Sequence, residues 1–357
     1  MLEPLRSSGR ARGILLGAVG LAIGLSLLVL ALRGVDLSEL TSALAEARYV
    51  WLLPLVAVAM LSHLIRAWRW NLIIGSMQSD RGRRPRLAES FGAVMIGYMV
   101  NYGVPRLGEV ARAGVLARRT RLPFVGLAGT VAAERALDTA SLAVALIIAA
   151  VLLRSQPGGV FAVLSETGAT GGFLVMVGIG TLFVAALVAI LVAVTRGHLG
   201  AGPARLAQSF VDGLRAILVV TARMLVALQT VVIWVCYWMM GYIPLEMLGL
   251  VDAYSLGLAD AWSIMTIGAL GVLVPSPGGL GTYHLLTVET LSGLYGVHVQ
   301  DAATYAVLAH GVQLLAYVVA GLVSLAIFGW GTARQPNQAP DAEGDVPSGS
   351  TGASQTT

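Results

Sequence analysis

The stretch NYGVPRLGEVAR, residues 101–112, follows the apolar run FGAVMIGYMV and decides how the chain folds. It puts Asn101, Pro105, Arg106, Glu109 and Arg112 where a membrane helix begun near Ser90 would still be running. A span needs roughly 20 apolar residues, and residues 90–104 fall short of that. Proline removes a backbone donor and turns the residue before it away from helix, so a break is predicted at Val104–Pro105. Either the chain crosses the bilayer here or it turns back, and the arginines choose between the two.

The composition sets the frame for that choice. Of 357 residues, 57% are hydrophobic and 12% charged, with mean hydropathy +0.80; a soluble domain carries about 25% charged residues. The reading is an all-α polytopic membrane protein without a separate soluble catalytic domain. All 23 basic residues are arginine, which the Ala- and Gly-rich composition explains better through the gene's base composition than through phosphate binding. Cys236 is the single cysteine, so neither an intrachain disulfide nor a thiolate metal site is expected. A net charge of +4 spread over loops calls for no nucleic-acid partner.

Basic loops favour the cytoplasmic side. The arm 1–13 carries Arg6, Arg10 and Arg12 and precedes the apolar run 14–32, read as a retained helix and not a signal peptide. Further apolar runs cover 51–74, 90–104, 124–153, 171–194, 224–248, 259–274 and 302–330. The loop SDRGRRPR, 79–86, is basic. If 90–104 crossed outward, Arg106, Arg112, Arg118, Arg119 and Arg121 would lie outside, against the bias of every other loop. The segment is therefore predicted to enter from the cytoplasm, break and return. Runs 124–153, 171–194 and 224–248 then alternate, with Arg196, Arg205, Arg215 and Arg223 inside, and 302–330 ends inside beside Arg334. For this, 259–296 must begin and end outside, as a second hairpin broken at VPSPGGLG, 274–281. The prediction is about six full spans plus two re-entrant helical hairpins from opposite faces. These eight membrane segments form one transmembrane domain, 14–330, followed by a disordered cytoplasmic tail, 331–357. Two interrupted hairpins of opposite orientation are the mark of an inverted repeat. VPRLGE and VPSPGGLGTYH also share Val-Pro, then Leu-Gly, then a polar residue.

Unwound backbone at membrane depth lines a cavity or is buried in protein. Arg106 and Arg112 are thus expected to offer forked donors to a phosphate, with Glu109 pairing one of them; Glu109 and Arg112 share a helix face. The competing reading is an interfacial loop whose arginines meet lipid headgroups. GTVAAERALDTASL, 129–142, sets Glu134, Arg135 and Asp138 inside a span, where charge is costly and faces the bundle interior. A structural ion-pair network and a substrate contact stay equally open there. Pro275, Pro277 and Gly281 are expected to break the second hairpin as Pro105 and Gly108 break the first. Gly278 and Gly279 are expected to expose N–H groups to an anion. His284 could carry a proton, although packing is the commoner role for a lone histidine. RAWRW, 66–70, reads as an aromatic belt with snorkelling arginines. The chain contains no HExxH, GxSxG, GxxxxGK[ST] or CxxC, so enzyme activity, metal and cofactor are not expected.

These motifs resemble those of the lysylphosphatidylglycerol synthase transmembrane-region family, the flippase-like domain of bacterial multiple peptide resistance factors. The resemblance rests on Asn101, Pro105, Gly108, Glu109 and Arg112, then Glu134, Arg135 and Asp138, then Pro275, Pro277, Gly278, Gly279 and Gly281, in that order along residues 14–330. His284 departs from it, standing where the family pattern has glutamate. The resemblance implies a multi-pass protein of the bacterial cytoplasmic membrane, both termini inside, that moves a phosphate-bearing lipid between leaflets. Asn101, Arg106, Glu109, Arg112, Glu134, Arg135, Asp138, Gly278, Gly279 and His284 would contact that lipid. No lysyl-lipid synthesis is expected, because the soluble aminoacyl-transferase domain is not part of the chain. A homo-oligomer is compatible with this reading. Its rivals are a polytopic lipid-modifying enzyme using polyprenyl-phosphate donors and a scaffold subunit of an envelope lipid pathway.

Overall fold

The computed structural model describes residues 21–153 and 208–329, except 23, 78–81, 209, 214, 217 and 275. The arm 1–13, the run 171–194, Pro275 and the tail 331–357 lie outside these residues. All regular structure among the described residues is helical, and the chain is an all-α polytopic membrane protein. Helix α1 covers 24–31. The bounded helices after it are α2 Leu37–Glu46, α3 Leu52–Gly75, α4 Leu87–Gly103, α5 Leu107–Thr120, α6 Phe124–Leu152, α7 Arg223–Met247, α8 Leu250–Tyr254, α9 Leu258–Leu273, α10 Thr282–Glu289 and α11 Val299–Phe328, and the described residues within 208–219 are helical too.

Length separates spans from half-spans. Among the described residues, four helices are long and apolar enough to cross a membrane: α3 with its leading turn (Tyr49–Gly75, 27 residues), α6 (29), α7 (25) and α11 (30). At 1.5 Å per residue they reach about 38–45 Å, beyond the ~30 Å hydrocarbon core. By contrast α4 and α5 have 17 and 14 residues, which give about 25 and 21 Å. In the second hairpin α9 has 16 residues and α10 only 8, prolonged by the π-turn Thr290–Leu294.

The first hairpin breaks where the sequence says it must. Val104 leaves α4 in an extended conformation (φ −136°, ψ 118°), as a residue before proline prefers, and Arg106 takes a left-handed conformation (φ 66°). Asn101 Oδ1 then accepts the Gly108 N–H at 2.7 Å, so the outgoing helix caps the first turn of the returning one. Gly97 and Gly108 let α4 and α5 touch backbone to backbone: a Cβ on Gly108 would run into the Gly97 carbonyl. At the open end Arg83 N–H donates to the Thr120 carbonyl at 2.9 Å. Both ends of the hairpin therefore lie together, and the hairpin returns to its own side.

The second hairpin turns at Pro277–Gly279, where Gly278, Gly279 and Gly281 all have positive φ (59°, 82° and 80°). Thr282 Oγ1 ties the tip by donating to the Gly271 carbonyl at 2.5 Å. Its open end lies at the opposite end of the molecule from that of the first. There Tyr254 donates to Asp301 (2.6 Å), Gln300 exchanges hydrogen bonds with the Asp36 backbone, and Arg48 N–H reaches the Met247 carbonyl. The ends of α3 and α11 are at the first hairpin's mouth instead, where Arg84 reaches the Gly75 carbonyl and Arg119 the Phe328 carbonyl. The tips meet between: Tyr102 lies against Gly278, and Arg106 Nη2 donates to the Leu273 carbonyl at 2.7 Å. This is the opposed arrangement that an inverted repeat requires.

Among the described residues, three large apolar cores and a small one around Leu153, Ile267 and Leu294 hold these parts. One wraps the first hairpin around Trp70, Met95, Ile96, Leu116 and Leu127. Another wraps the second around Ile264, Val288, Leu291 and Tyr305. A third, with Leu55, Met240, Met247 and Tyr317, joins α3, α7 and α11 between them. Residues 37–46, for which the sequence shows no span, form the surface helix α2; Asp36 caps it by accepting the Ser38 N–H at 2.7 Å.

Candidate functional site

Seven charged side chains from three helices converge where the first hairpin packs on α3 and α6. Spacings of three and four residues put Arg66 and Arg69 on one face of α3, Glu109 and Arg112 on one face of α5, and Glu134 and Asp138 on one face of α6. Arg66 Nη1 lies 2.7 Å from Glu134 and 2.6 Å from Asp138. Arg69 Nη2 lies 3.2 Å and 2.6 Å from the same two carboxylates. Arg112 Nη1 stands 2.9 Å from the other oxygen of Glu134, and its guanidinium carbon lies 5.0 Å from the centre of the Trp70 ring. Arg135 pairs with Glu109 at 3.2 Å. From α7, Tyr237 accepts from Arg66 Nη2 at 2.7 Å and Thr230 from Arg69 Nη1 at 3.0 Å.

The network is graded from sealed to open. Side chains of Arg69 and Glu134 are 0% exposed and those of Arg66 and Arg112 are 3%, while Glu109 and Asp138 reach 22% and Arg135 33%. Four guanidinium groups face three carboxylates, so one positive charge is left over. The surplus falls on Arg112. Although in ion-pair range, it is not aligned for hydrogen bonding, and none of its three side-chain nitrogens has a hydrogen-bond partner. Arg66 and Arg69, in contrast, donate to both acids.

Two sequence expectations are corrected here. RAWRW is no snorkelling belt: Arg66, Arg69 and Trp70 are buried, and only Trp68 faces outward at 45%. Because α3 runs on to Gly75, these residues lie inside the span and turn toward α6 and α7. Nor does Glu109 pair with Arg112 or Arg106. Helix α6 packs against α5 and supplies closer partners, Arg135 for Glu109 and Glu134 for Arg112, while Arg106 binds a backbone carbonyl at the second hairpin.

The second tip also differs from expectation. Gly279 N–H donates to the Ser276 carbonyl, Gly281 N–H to His284 Nδ1, and Tyr102 covers Gly278. The glycines therefore serve the turn and the close approach of the first hairpin, and do not form an open anion nest. His284 is buried beside His310, ring centroids 4.9 Å apart, with Tyr283 and Tyr102 around them. Deeper in, His63 lies between Tyr98 and Tyr317 (4.2 and 4.5 Å), and neither ring nitrogen has a partner. His63, His310 and Tyr237 escaped the sequence reading, which took Arg66 and Arg69 for snorkelling residues. The rule that found Glu134 and Asp138, ionisable residues inside apolar runs, applies equally to them.

At the mouth of the first hairpin, Arg83 grips Glu89 with two hydrogen bonds, 2.6 and 2.8 Å, and Arg119 stands 3.4 Å away. The Arg83 hydrogen bonds lower the Glu89 carboxyl to about 2. Arg84, Arg86 and Arg121 complete a basic face there.

Comparison with known proteins agrees with this architecture. A family described as "Lysylphosphatidylglycerol synthase TM region" matches residues 17–321, and the chain belongs to that family. It is also similar to "Glycosyltransferase AglD" of Haloferax volcanii, 26% identical over 342 aligned residues that take in 86% of this chain and 54% of the relative. The chain thus spans about half the length of that curated relative.

Proposed function

We propose that this member of the family moves an anionic or phosphate-bearing lipid between leaflets, and that it is not itself an enzyme. The observation that carries the reading is the surplus guanidinium of Arg112. It sits at the inner end of a charged network whose rim, Glu109, Arg135 and Asp138, is partly open. Charge in bare hydrocarbon costs several kcal/mol or more. A phosphate that takes the free donors of Arg112 and Arg135 replaces lost hydration with charge-assisted hydrogen bonds, while its acyl chains stay in lipid. Charge bias favours the cytoplasmic side for the Arg-rich mouth of the first hairpin, with the ends of α3 and α11 beside it, and the proposal takes the membrane to be a bacterial inner membrane.

The family's name and the relative's name denote two different transfer chemistries. The chain matches about half of the relative, and we read the shared region as one that handles the substrate and does not carry out either transfer. The relative's name also supports a second reading, in which Glu109, Glu134 or Asp138 acts as general base on a lipid-linked substrate. Against it, each carboxylate is held by one to three arginines, which stabilises the ionised form and weakens it as a base.

The test reconstitutes the purified protein in vesicles and follows dithionite bleaching of fluorescent phosphatidylglycerol and phosphatidylcholine placed in the inner leaflet. Faster loss of the phosphatidylglycerol signal than in protein-free vesicles, abolished by Arg112→Met, is the expected result. Equal bleaching with and without protein refutes translocation of these lipids.

A further inference from the structure

The meeting point of the two hairpin tips holds a second group of polar side chains that the charged network does not use. His284 lies in the first turn of α10 and His310 on α11, 4% and 6% exposed. Their rings stand 4.9 Å apart, tilted by 55°. The hydrogen bond from Gly281 N–H to His284 Nδ1, 3.4 Å, makes that nitrogen the acceptor and leaves the proton of this ring on Nε2. Nε2 of His310 has no partner. A leucine would pack this space without burying an unpaired ring nitrogen, so packing alone does not account for the pair.

Among the described residues, the surroundings carry no counter-charge. From α4 comes Tyr102, from α10 Tyr283, both uncharged rings, at 6.1 and 5.2 Å from His310. Helix α9 has one titratable residue, Asp260, at its far end, where it caps Gly257. Residues 24–31 of α1, which pass the tip at Gly281, have none. Arg106 reaches the second hairpin but is spent on the Leu273 carbonyl. Among the described residues, a proton placed here has no resident anion to hold it. The missing negative charge must come with a ligand.

We infer that the His284–His310 pair is a proton-binding site that takes up a proton together with each anionic headgroup reaching the hairpin tips. The inference rests on the lipid-moving reading above and adds an ion to it. Hydronium from bulk water gives its proton to His310 Nε2 and leaves as water, and no other bond changes. Because the proton and the headgroup carry opposite charge, each strengthens the binding of the other by the same factor. Transport is thereby tied to the proton gradient.

The experiment uses the full chain in phosphatidylcholine nanodiscs titrated with short-chain phosphatidylglycerol. Calorimetry in buffers of different ionisation enthalpy counts protons taken up per lipid bound. Over roughly pH 5 to 8, the range in which histidine titrates, the expected count is about one, and Kd rises about tenfold per pH unit above the site's titration point. His284→Gln and His310→Gln are each expected to bind the lipid with no proton uptake and a flat pH profile; if one misfolds, the other and the wild-type count still decide. Lipid binding without proton uptake in the wild type overturns the inference and leaves the lipid-moving reading standing. Uptake that persists in both variants overturns it too. If the wild type binds no phosphatidylglycerol, the functional reading falls and takes the proton site with it.

Discussion

The pairing around Glu134 makes Arg112 the arginine whose loss the fold should tolerate best. Glu134 Oε1 keeps Arg66 at 2.7 Å and Arg69 at 3.2 Å whether or not Arg112 is present. Arg112→Met therefore leaves three guanidinium groups with three carboxylates, and methionine retains an unbranched apolar stem against Trp70. We expect a smaller stability loss than for Glu134→Gln, because Glu134 loses only the partner of its Oε2 and keeps two arginines. Glu134→Gln does the reverse. It leaves four arginines, three of them nearly sealed, facing Glu109 and Asp138 alone. Breaking a buried pair from one side costs about 3–5 kcal/mol, or about 6–10 °C at about 2 °C per kcal/mol. Fluorescence-monitored unfolding of both variants in one detergent, with bleaching rates normalised to folded protein, separates the roles. A melting temperature for Arg112→Met as low as that of Glu134→Gln, with transport per folded molecule intact, would make Arg112 a structural brace and refute the surplus-charge argument.

Arg112→Lys keeps the charge but loses the planar fork, so bleaching of phosphatidylglycerol is expected to fall well below wild type; a wild-type rate would show that no forked contact is made. Glu89 titrates at about 2 in the folded chain against 4.5 when free. Its stabilising effect is thus complete above pH 4.5 and fades as pH falls toward 2; Arg83→Gln should flatten that acid limb of the melting curve, and an unchanged limb counts against the pair. Gly108→Ala drives a methyl into the Gly97 carbonyl and Asn101, and overpacking of this kind costs about 1–3 kcal/mol; wild-type melting would mean the hairpin arms can separate freely. Single cysteines at Arg86 and Arg121 in a Cys236→Ala background should react with an impermeant maleimide from the same side of the membrane, and labelling from opposite sides would remove the first hairpin.

The hairpins were legible in the sequence because their causes are local. Val104–Pro105 and Pro277–Gly281 dictate backbone, and the arginines on both flanks of 90–104 dictate that it returns. Glu134 and Asp138 were legible for a related reason: an acid inside an apolar run must find a partner, whatever the fold. The partner itself was not. Glu109 and Arg112 share a face of α5 as their spacing requires, yet spacing says nothing of what the neighbouring helix brings, and α6 brings both Arg135 and Glu134. Arg66 and Arg69 were misread because an arginine near a tryptophan at a helix end is ordinary, and only the true end of α3 at Gly75 shows that these two lie inside.

That misreading bears on what the network is for. Had Arg66 and Arg69 reached lipid headgroups, the acids of α6 would have had Arg112 and Arg135 as partners, and the cluster would have been close to neutral or negative. With both turned inward, Asp138 and one oxygen of Glu134 take their hydrogen bonds from α3, and only the other Glu134 oxygen faces Arg112. Helix α3 and its tyrosine and threonine partners on α7 supply the rigid half of the site. The arginine of the hairpin is left with no hydrogen-bond partner, on one of the two helices that join the mouth of the protein to the meeting point of the tips. A charge that the resting fold does not need, placed on the part of the fold that is interrupted at membrane depth, is better suited to a ligand that comes and goes than to a permanent partner.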